Sequence, residues 1–179
     1  MKKICVFCGS SSGLGEKYIT ESRALGQSMG SQGLGLVYGG ASIGVMGAVA
    51  DGVLERGGNV WGVIPRSILD LEVGHQGLTE LKIVDSMHER KKEMYDLSDA
   101  FIALPGGMGT LDELCEIITW GQLGYHKRPI YIVNQDGFFD HLLHHFRHIN
   151  QLGFLKTEHL ALFKEVPSGE EAISHFISQ

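Results

Sequence analysis

Short apolar runs alternate with longer amphipathic segments along the chain. Most of the short runs are continuously apolar, which is typical of parallel strands covered on both faces. The longer segments repeat their apolar positions every three to four residues, which favours helices. This rhythm predicts an α/β fold, a doubly wound, Rossmann-like parallel sheet with helices on both faces. The predicted strands are residues 3–8, 34–39, 59–64, 81–85, 100–104 and 129–133, and the predicted helices are residues 16–31, 44–57, 87–97, 110–123, 137–151 and 169–178.

The rhythm continues without a linker, an internal repeat or a low-complexity tract. We therefore expect residues 1–179 to form a single Rossmann-like, nucleotide-binding domain. A chain of this length can bury roughly two-thirds of its unfolded surface. The longest irregular stretch, residues 65–80, is either a functional loop or a covering lid without chemistry of its own.

Composition narrows the class of protein. The formal net charge is -6 and the basic residues are scattered, which argues against a general nucleic-acid binder. No apolar stretch reaches the roughly 18 to 20 residues of a membrane-spanning helix, so we expect no membrane partner. The three cysteines are an odd number and suggest a reducing compartment, which makes a cytoplasmic protein the expectation.

Glycines concentrate where predicted strands end, in CGSSSGLG (8–15), YGGASIGVMG (38–47) and LPGGMGT (104–110). In a parallel sheet these turns share the carboxyl edge, where helix amino ends direct unpaired N–H groups into one crevice. Each turn alone could simply permit tight packing. Three turns at one edge favour an anionic ligand, and the candidate binding residues are Gly9, Ser10, Gly39, Gly40 and Gly106 to Thr110.

Two common phosphate motifs are missing. The pattern G-x-x-x-x-G-K-[S/T] is absent, which makes phosphoryl transfer a poor fit. The first turn does not match G-x-G-x-x-G, and the second strand ends in VYGG rather than in an acidic residue that could bind a ribose. A nicotinamide-dependent dehydrogenase is therefore also a poor fit.

Glu113 allows two interpretations. Thr110 and Glu113 have the spacing of a capping box, in which both side chains satisfy the first N–H groups of a helix. If a phosphate occupies that helix end instead, the Glu113 carboxylate is free to orient water or to stabilise positive charge on a ribose ring.

A second acidic and basic cluster lies in DSMHERKKEMYD (85–96). Ser86 and Glu89 again have capping-box spacing, so the charges could be the solvated face of a helix. The helix follows a strand that ends at the same sheet edge, however. Arg90, one turn into it, could reach the crevice with a planar group suited to phosphate or a base edge.

The segments PGGMGTLDE (105–113) and MHERK (87–91) resemble the paired signature of the LONELY GUY family of cytokinin riboside 5'-monophosphate phosphoribohydrolases. GVIPRSILDLE (62–72), ITWGQLG (118–124) and CGSSSG (8–13) are also similar to that family, so the resemblance covers nearly the whole chain. It implies hydrolysis of the N-glycosidic bond of N6-prenylated AMP, and in addition AMP is a candidate substrate. The products would be the free base and ribose 5-phosphate.

The resemblance also implies roles for individual residues. Arg90 and Glu113 match the catalytic pair. Residues that match nucleotide-binding positions are Lys91, Gly107, Met108, Gly109, Thr110, Leu111 and Asp112, and further substrate contacts are Glu72 and Thr119. The family implies a Rossmann-like fold, a homodimer, and no cofactor or metal. A non-catalytic nucleotide-binding or carrier protein of the same fold is the alternative.

Some relatives carry the label lysine decarboxylase. That reaction needs pyridoxal phosphate held on a lysine, and no segment of the sequence specifies such a site.

Three further patterns are interpreted as structural rather than as functional sites. His141, His144, His145 and His148 have helical spacing and could bind a metal, but a solvated face is the commoner outcome of such a pattern. Cys5 and Cys8 lie within a predicted strand, unlike redox pairs that open a helix, and are interpreted as packing residues. Trp120 and Leu123 are expected to be core or dimer contacts.

Overall fold

The computed structural model describes residues 1–69 and 74–179. Its strands are β1 (Lys3–Phe7), β2 (Gly35–Tyr38), β3 (Val60–Pro65), β4 (Glu80–Val84), β5 (Ala100–Ala103), β6 (Ile130–Val133) and β7 (Phe163–Val166). Its helices are α1 (Lys17–Ser31), α2 (Gly44–Glu55), α3 (Met87–Asp96), α4 (Met108–Gln122), α5 (Asp140–Gln151) and α6 (Gly169–Ile177). Short 3₁₀ turns cover Arg66–Ile68, Gln135–Gly137 and Thr157–Leu162.

The strands form one sheet in the order β4-β3-β2-β1-β5-β6-β7, and every pairing is parallel. From β1 the chain winds outwards to β4, then returns to place β5 on the other side of β1. This reversal is the topological switch point of a doubly wound sheet, where ligands of such folds bind. The predicted fold class is therefore confirmed.

The central strands bury both faces because alternate residues point to opposite sides of the sheet. Ile4 and Val6 of β1 pack with α1, α2 and α6, whereas Cys5 and Phe7 pack with α3, α4 and α5. Both sets are almost fully buried, which explains the continuous apolar runs in the sequence.

All the predicted strands and helices are present, but two details differ. The strand β7 was not predicted, because FKEV is a short edge strand with only Val166 fully buried. The helix predicted to begin at Thr110 begins at Met108, with Gly107 as its N-cap.

The predicted irregular stretch 65–80 is partly regular. Pro65 belongs to β3, Arg66–Ile68 forms a 3₁₀ turn and Glu80 opens β4. Gly74 forms an antiparallel bridge with Ala41. Residues 70–73 lie outside the described residues. Within the described residues, no helix has both the length and the apolar character needed to cross a membrane.

Candidate active site

The switch point brings the glycine turns after β1 and β5 into contact. The Gly9 N–H donates to the carbonyl of Pro105 at 3.3 Å. A Cβ at Gly106 would lie 2.7 Å from the Gly9 nitrogen and 2.1 Å from Thr110 Oγ1, far inside contact distance. Glycine at position 106 is therefore required for the close approach of the two turns.

A cavity of about 240 Å³ opens beside these turns. It lies at the carboxyl edge of the sheet, as the glycine pattern predicted. It is lined by Cys8, Gly9, Ser10, Met46, Met87, Arg90, Gly107, Met108, Gly109, Thr110, Asp112 and Glu113.

The amino end of α4 forms one wall of the cavity. Its N-cap is Gly107, and no side chain in the described part of the chain caps the helix. Thr110 is therefore the third residue of the helix, so the capping-box interpretation of Thr110 and Glu113 is wrong. Thr110 is 2% exposed, and its hydroxyl has no hydrogen-bond partner among the described residues. An uncapped helix end beside an unpartnered buried hydroxyl is suited to an anion.

Arg90 reaches the cavity from α3. Ser86 caps that helix as predicted, because its Oγ accepts the Glu89 N–H at 3.2 Å, whereas the Glu89 carboxylate accepts the N–H of Asp85, the residue before the N-cap, at 3.0 Å. Arg90 is 3% exposed. Its Nε donates to the Val63 carbonyl at 3.1 Å, and its Nη2 donates to the Gly39 carbonyl at 2.9 Å.

These two carbonyls, one directly after β2 and the other within β3, hold the guanidinium of Arg90. A Cβ at Gly39 would lie 2.0 Å from Arg90 Nη2, so a glycine at this position is necessary for the observed placement. Gly39 thus acts on the site through Arg90, whereas its neighbour Gly40 accepts the His75 N–H and has a positive φ of 84°.

Glu113 lines the same cavity from α4 and is 5% exposed. Its negative charge also affects Cys5 in strand β1. Burial raises the pKa of the Cys5 thiol, and the charge of Glu113 raises that pKa further. The structure thus brings together the carboxylate and the guanidinium that the sequence nominated from two separate segments.

Lys91 does not line this cavity. Its Nζ lies 3.0 Å from Asp112 Oδ2 and 3.2 Å from Glu116 Oε2. Burial opposes the charged form of Lys91, but the bonds to these two carboxylates outweigh burial and raise its pKa. Lys91 therefore joins α3 to α4 in this structure.

The remaining nominated residues lie in different places. Gly106 lines an adjoining cavity of about 250 Å³, which shares Gly9 and Gly107 with the first. Leu111 packs against the core. Thr119 donates to the Cys115 carbonyl at 2.7 Å and lines a separate surface groove. Glu72 lies outside the described residues.

Sequence reasoning missed three residues that line the cavity, namely Cys8, Met46 and Met87. Cys8 was interpreted only as a packing residue, and it is indeed 2% exposed. Met87 opens the segment MHERK and Met46 lies in the glycine-rich segment 38–47, but a methionine has no charged or strongly polar group that would mark it as a ligand-binding residue. Their position at the switch point becomes visible only once the helices are placed.

The four histidines of α5 are exposed, as expected for a solvated face. Across residues 1–69 and 74–179, no group of three or more histidine, cysteine or acidic side chains is arranged to hold a metal ion. Trp120 packs against Tyr95 in the core, with ring centroids 5.1 Å apart, whereas Leu123 is exposed.

A doubly wound parallel sheet with a glycine-lined cavity at its switch point places this chain among the Rossmann-like α/β proteins. Solved structures agree on the fold. The molybdenum cofactor carrier protein of Chlamydomonas reinhardtii aligns with a TM-score of 0.74, 18% identity and 99% coverage of each chain. The molybdenum cofactor binding protein of Rippkaea orientalis aligns with a TM-score of 0.74, 21% identity and coverage of 99% and 97%.

Sequence comparison identifies the family, whereas the solved structures show only the fold. The family described as possible lysine decarboxylase matches residues 46–176. A cytokinin riboside 5'-monophosphate phosphoribohydrolase of Arabidopsis thaliana is 46% identical over 96% of this chain and 75% of its own. One from Oryza sativa subsp. japonica is 44% identical over 96% of this chain and 71% of its own. This chain belongs to the LONELY GUY family of phosphoribohydrolases, as the two signatures predicted.

Proposed function

We propose that this chain hydrolyses the N-glycosidic bond of cytokinin riboside 5'-monophosphates, that is, of N6-prenylated AMP, and that it also accepts AMP. The products are the free base and ribose 5-phosphate. The observation that carries the proposal is the placement of Arg90 and Glu113 in one cavity beside an uncapped helix end. The identity to phosphoribohydrolases over 96% of the chain supports the same reaction.

The 5'-phosphate binds at the amino end of α4. The glycines on either side of Met108 leave the backbone accessible, and the helix dipole favours a negative charge at this end. Thr110 offers the phosphate a buried hydroxyl that has no partner among the described residues. Each charge-assisted hydrogen bond of this kind contributes about 1.5–3 kcal/mol.

Glu113 acts at the sugar. When the bond between C1' and the base breaks, its electron pair leaves with the base and positive charge develops on the ribose ring. The Glu113 carboxylate stabilises that charge and orients a water molecule for attack on C1'. The water oxygen joins C1', and one of its protons ends on the departing base. Arg90 orients the nucleotide or balances the charge of the phosphate and Glu113.

The direct test incubates purified protein with N6-isopentenyl AMP, AMP and the corresponding nucleosides, and measures free base by chromatography. We expect release from the monophosphates, and turnover of the nucleosides that is lower by orders of magnitude because they lack the phosphate contacts. If no monophosphate releases base, the hydrolase proposal fails. Tight calorimetric binding of AMP without turnover would instead identify a carrier.

The matched family's description as a possible lysine decarboxylase implies pyridoxal phosphate, which is carried as a Schiff base on a lysine. The residues present do not fit that cofactor. The described residues that line the two adjoining cavities include no lysine, and Lys91 is engaged by Asp112 and Glu116. We therefore assign no decarboxylation step to this site.

The proposed enzyme is a cytoplasmic homodimer of single-domain subunits that takes a small nucleotide and neither nucleic acid nor a membrane as its partner. Support for the compartment comes from three free thiols. Support for the dimer comes from Leu123 and Tyr125, which are exposed at the end of α4. Analytical ultracentrifugation should give a dimer mass, and Leu123→Glu should lower it. A monomeric wild-type protein would refute the dimer.

A further inference from the structure

Tyr95 connects the two helices that carry Arg90 and Glu113. Its side chain is fully buried among Phe7, Phe101 and Trp120. Its hydroxyl donates to Glu116 Oε2 at 2.8 Å and lies 3.4 Å from the backbone oxygen of Glu113. The proposed reaction assigns no role to this buried polar group.

Glu116 links Tyr95 to Lys91. The same oxygen, Glu116 Oε2, accepts from the Tyr95 hydroxyl and lies 3.2 Å from Lys91 Nζ. Lys91 directly follows Arg90 on α3, and it also pairs with Asp112, which directly precedes Glu113 on α4. The network therefore fixes the backbone on each side of Glu113 and immediately after Arg90.

Tyr95 and Glu116 can influence the site without touching the substrate. Tyr95, Lys91 and Glu116 do not line the cavity that contains Arg90 and Glu113, whereas Asp112 does. The bonds at the centre of the network are shielded from water, since Lys91 is 8% exposed and Tyr95 is fully buried, whereas Asp112 at its outer end is exposed. Buried, fully connected polar bonds rigidify the elements that they join.

We infer that Tyr95, acting through Glu116, is a positioning residue that holds Glu113 at the angle at which its carboxylate meets the ribose. This inference rests on the proposed hydrolase function. A misplacement of the order of 1 Å in a catalytic group can cost up to about a hundredfold in rate. Loss of one hydroxyl in the network is a smaller disturbance, so we expect a loss of roughly tenfold.

The test uses Tyr95→Phe, which removes the hydroxyl and keeps the ring in its aromatic contacts. The matched control is Tyr131→Phe. Tyr131 is also buried, its hydroxyl accepts from Gln179 Nε2 at 2.9 Å, and it lies on β6 outside the site. We expect Tyr95→Phe to lower kcat roughly tenfold with KM unchanged within about twofold, and Tyr131→Phe to leave both constants unchanged.

A double-mutant cycle separates positioning from general loss of structure. If Tyr95 acts through Glu113, Tyr95→Phe should have no further effect on kcat in a Glu113→Gln background. An equal loss of rate in both backgrounds would overturn the inference, as would an unchanged kcat in the single variant.

A measurement that does not require activity keeps the inference separate from the hydrolase proposal. Hydrogen exchange should become faster in the first turns of α4, residues 108–116, in Tyr95→Phe but not in Tyr131→Phe, with α1 as an internal reference. If the wild type releases no base, the hydrolase proposal fails and this experiment still decides whether Tyr95 positions the segment around Glu113. Unchanged exchange over 108–116 would refute that role.

Discussion

Gly39→Ala is expected to displace the guanidinium of Arg90 while leaving arginine at position 90. The new methyl carbon would lie 2.0 Å from Arg90 Nη2 and 3.1 Å from Cζ. Carbon and nitrogen atoms in contact need more than about 3.4 Å, so Nη2 must retreat by more than about 1 Å. The main obstacle is the far end of a flexible side chain, and the backbone at Gly39 does not have a positive φ. The clash is therefore relieved by moving the guanidinium rather than the sheet.

The retreat breaks the bond from Arg90 Nη2 to the Gly39 carbonyl and strains the bond from Nε to Val63. Losing one hydrogen bond of a charged group costs about 1.5–3 kcal/mol, which in a domain of this size lowers the melting temperature by several degrees. The catalytic effect should be larger, because a displacement of about 1 Å costs up to about a hundredfold in rate. We therefore expect kcat/KM for N6-isopentenyl AMP to fall at least about tenfold in a folded protein.

The assay compares base release, circular dichroism and thermal melting of Gly39→Ala with those of Gly121→Ala. Gly121 lies in α4, and a Cβ there would meet the His126 ring at an ordinary 3.5 Å, so this control should keep its activity. If Gly39→Ala turns over the nucleotide at a rate within twofold of wild type, the placement of Arg90 does not matter for the reaction and the reasoning fails.

Three further predictions concern Glu113, Thr110 and His126. Glu113→Gln should fold and bind AMP while kcat falls roughly a hundredfold; near-normal turnover would remove Glu113 from the chemistry. Thr110→Val should raise KM for the monophosphate severalfold without changing the slow turnover of the nucleoside, and an equal effect on both would show that Thr110 does not contact the phosphate. Burial lowers the pKa of His126, so its folded-state pKa lies below the unfolded value of about 6.5. The stability that its neutral ring contributes is complete above about pH 6.5 and is lost as the pH falls towards the folded-state pKa. The free energy of unfolding, measured in urea, should therefore change less with pH in His126→Gln than in the wild type.

The sequence predicted the architecture well because buried parallel strands leave an unambiguous signal. Ile102 of β5 and Ile132 of β6 lie in continuous apolar runs, and both are fully buried. The edge strand β7 left no such signal, because Lys164 and Glu165 are exposed to solvent there. Edge strands keep one side unpaired and tolerate charges, so periodicity alone does not reveal them.

The site was predicted in part. Glycine turns and helix starts indicated the sheet edge, and Arg90 and Glu113 were nominated there from two separate segments. The structure places both residues in one cavity. The partners of Lys91 were not predicted, because its contacts with Glu116 and Asp112 depend on how α3 and α4 pack side by side. The place of Met46 in the cavity wall was not predicted for a similar reason, because it depends on the direction in which α2 packs against the sheet.

The start of α4 excludes one of the two interpretations of Glu113, namely helix capping. With Gly107 as the N-cap, Glu113 lies in the second turn, beyond the first N–H groups that a capping carboxylate would satisfy. Its burial has no explanation in helix capping, and burying a carboxylate carries a cost that solvent exposure would avoid. Gly107 is the N-cap and the Thr110 hydroxyl has no partner among the described residues, so a phosphate at the helix end and the Glu113 carboxylate would not compete for one place. An acidic side chain one turn beyond an anion site fits the proposed reaction, in which the phosphate would anchor the nucleotide and Glu113 would meet the charge that develops on its sugar.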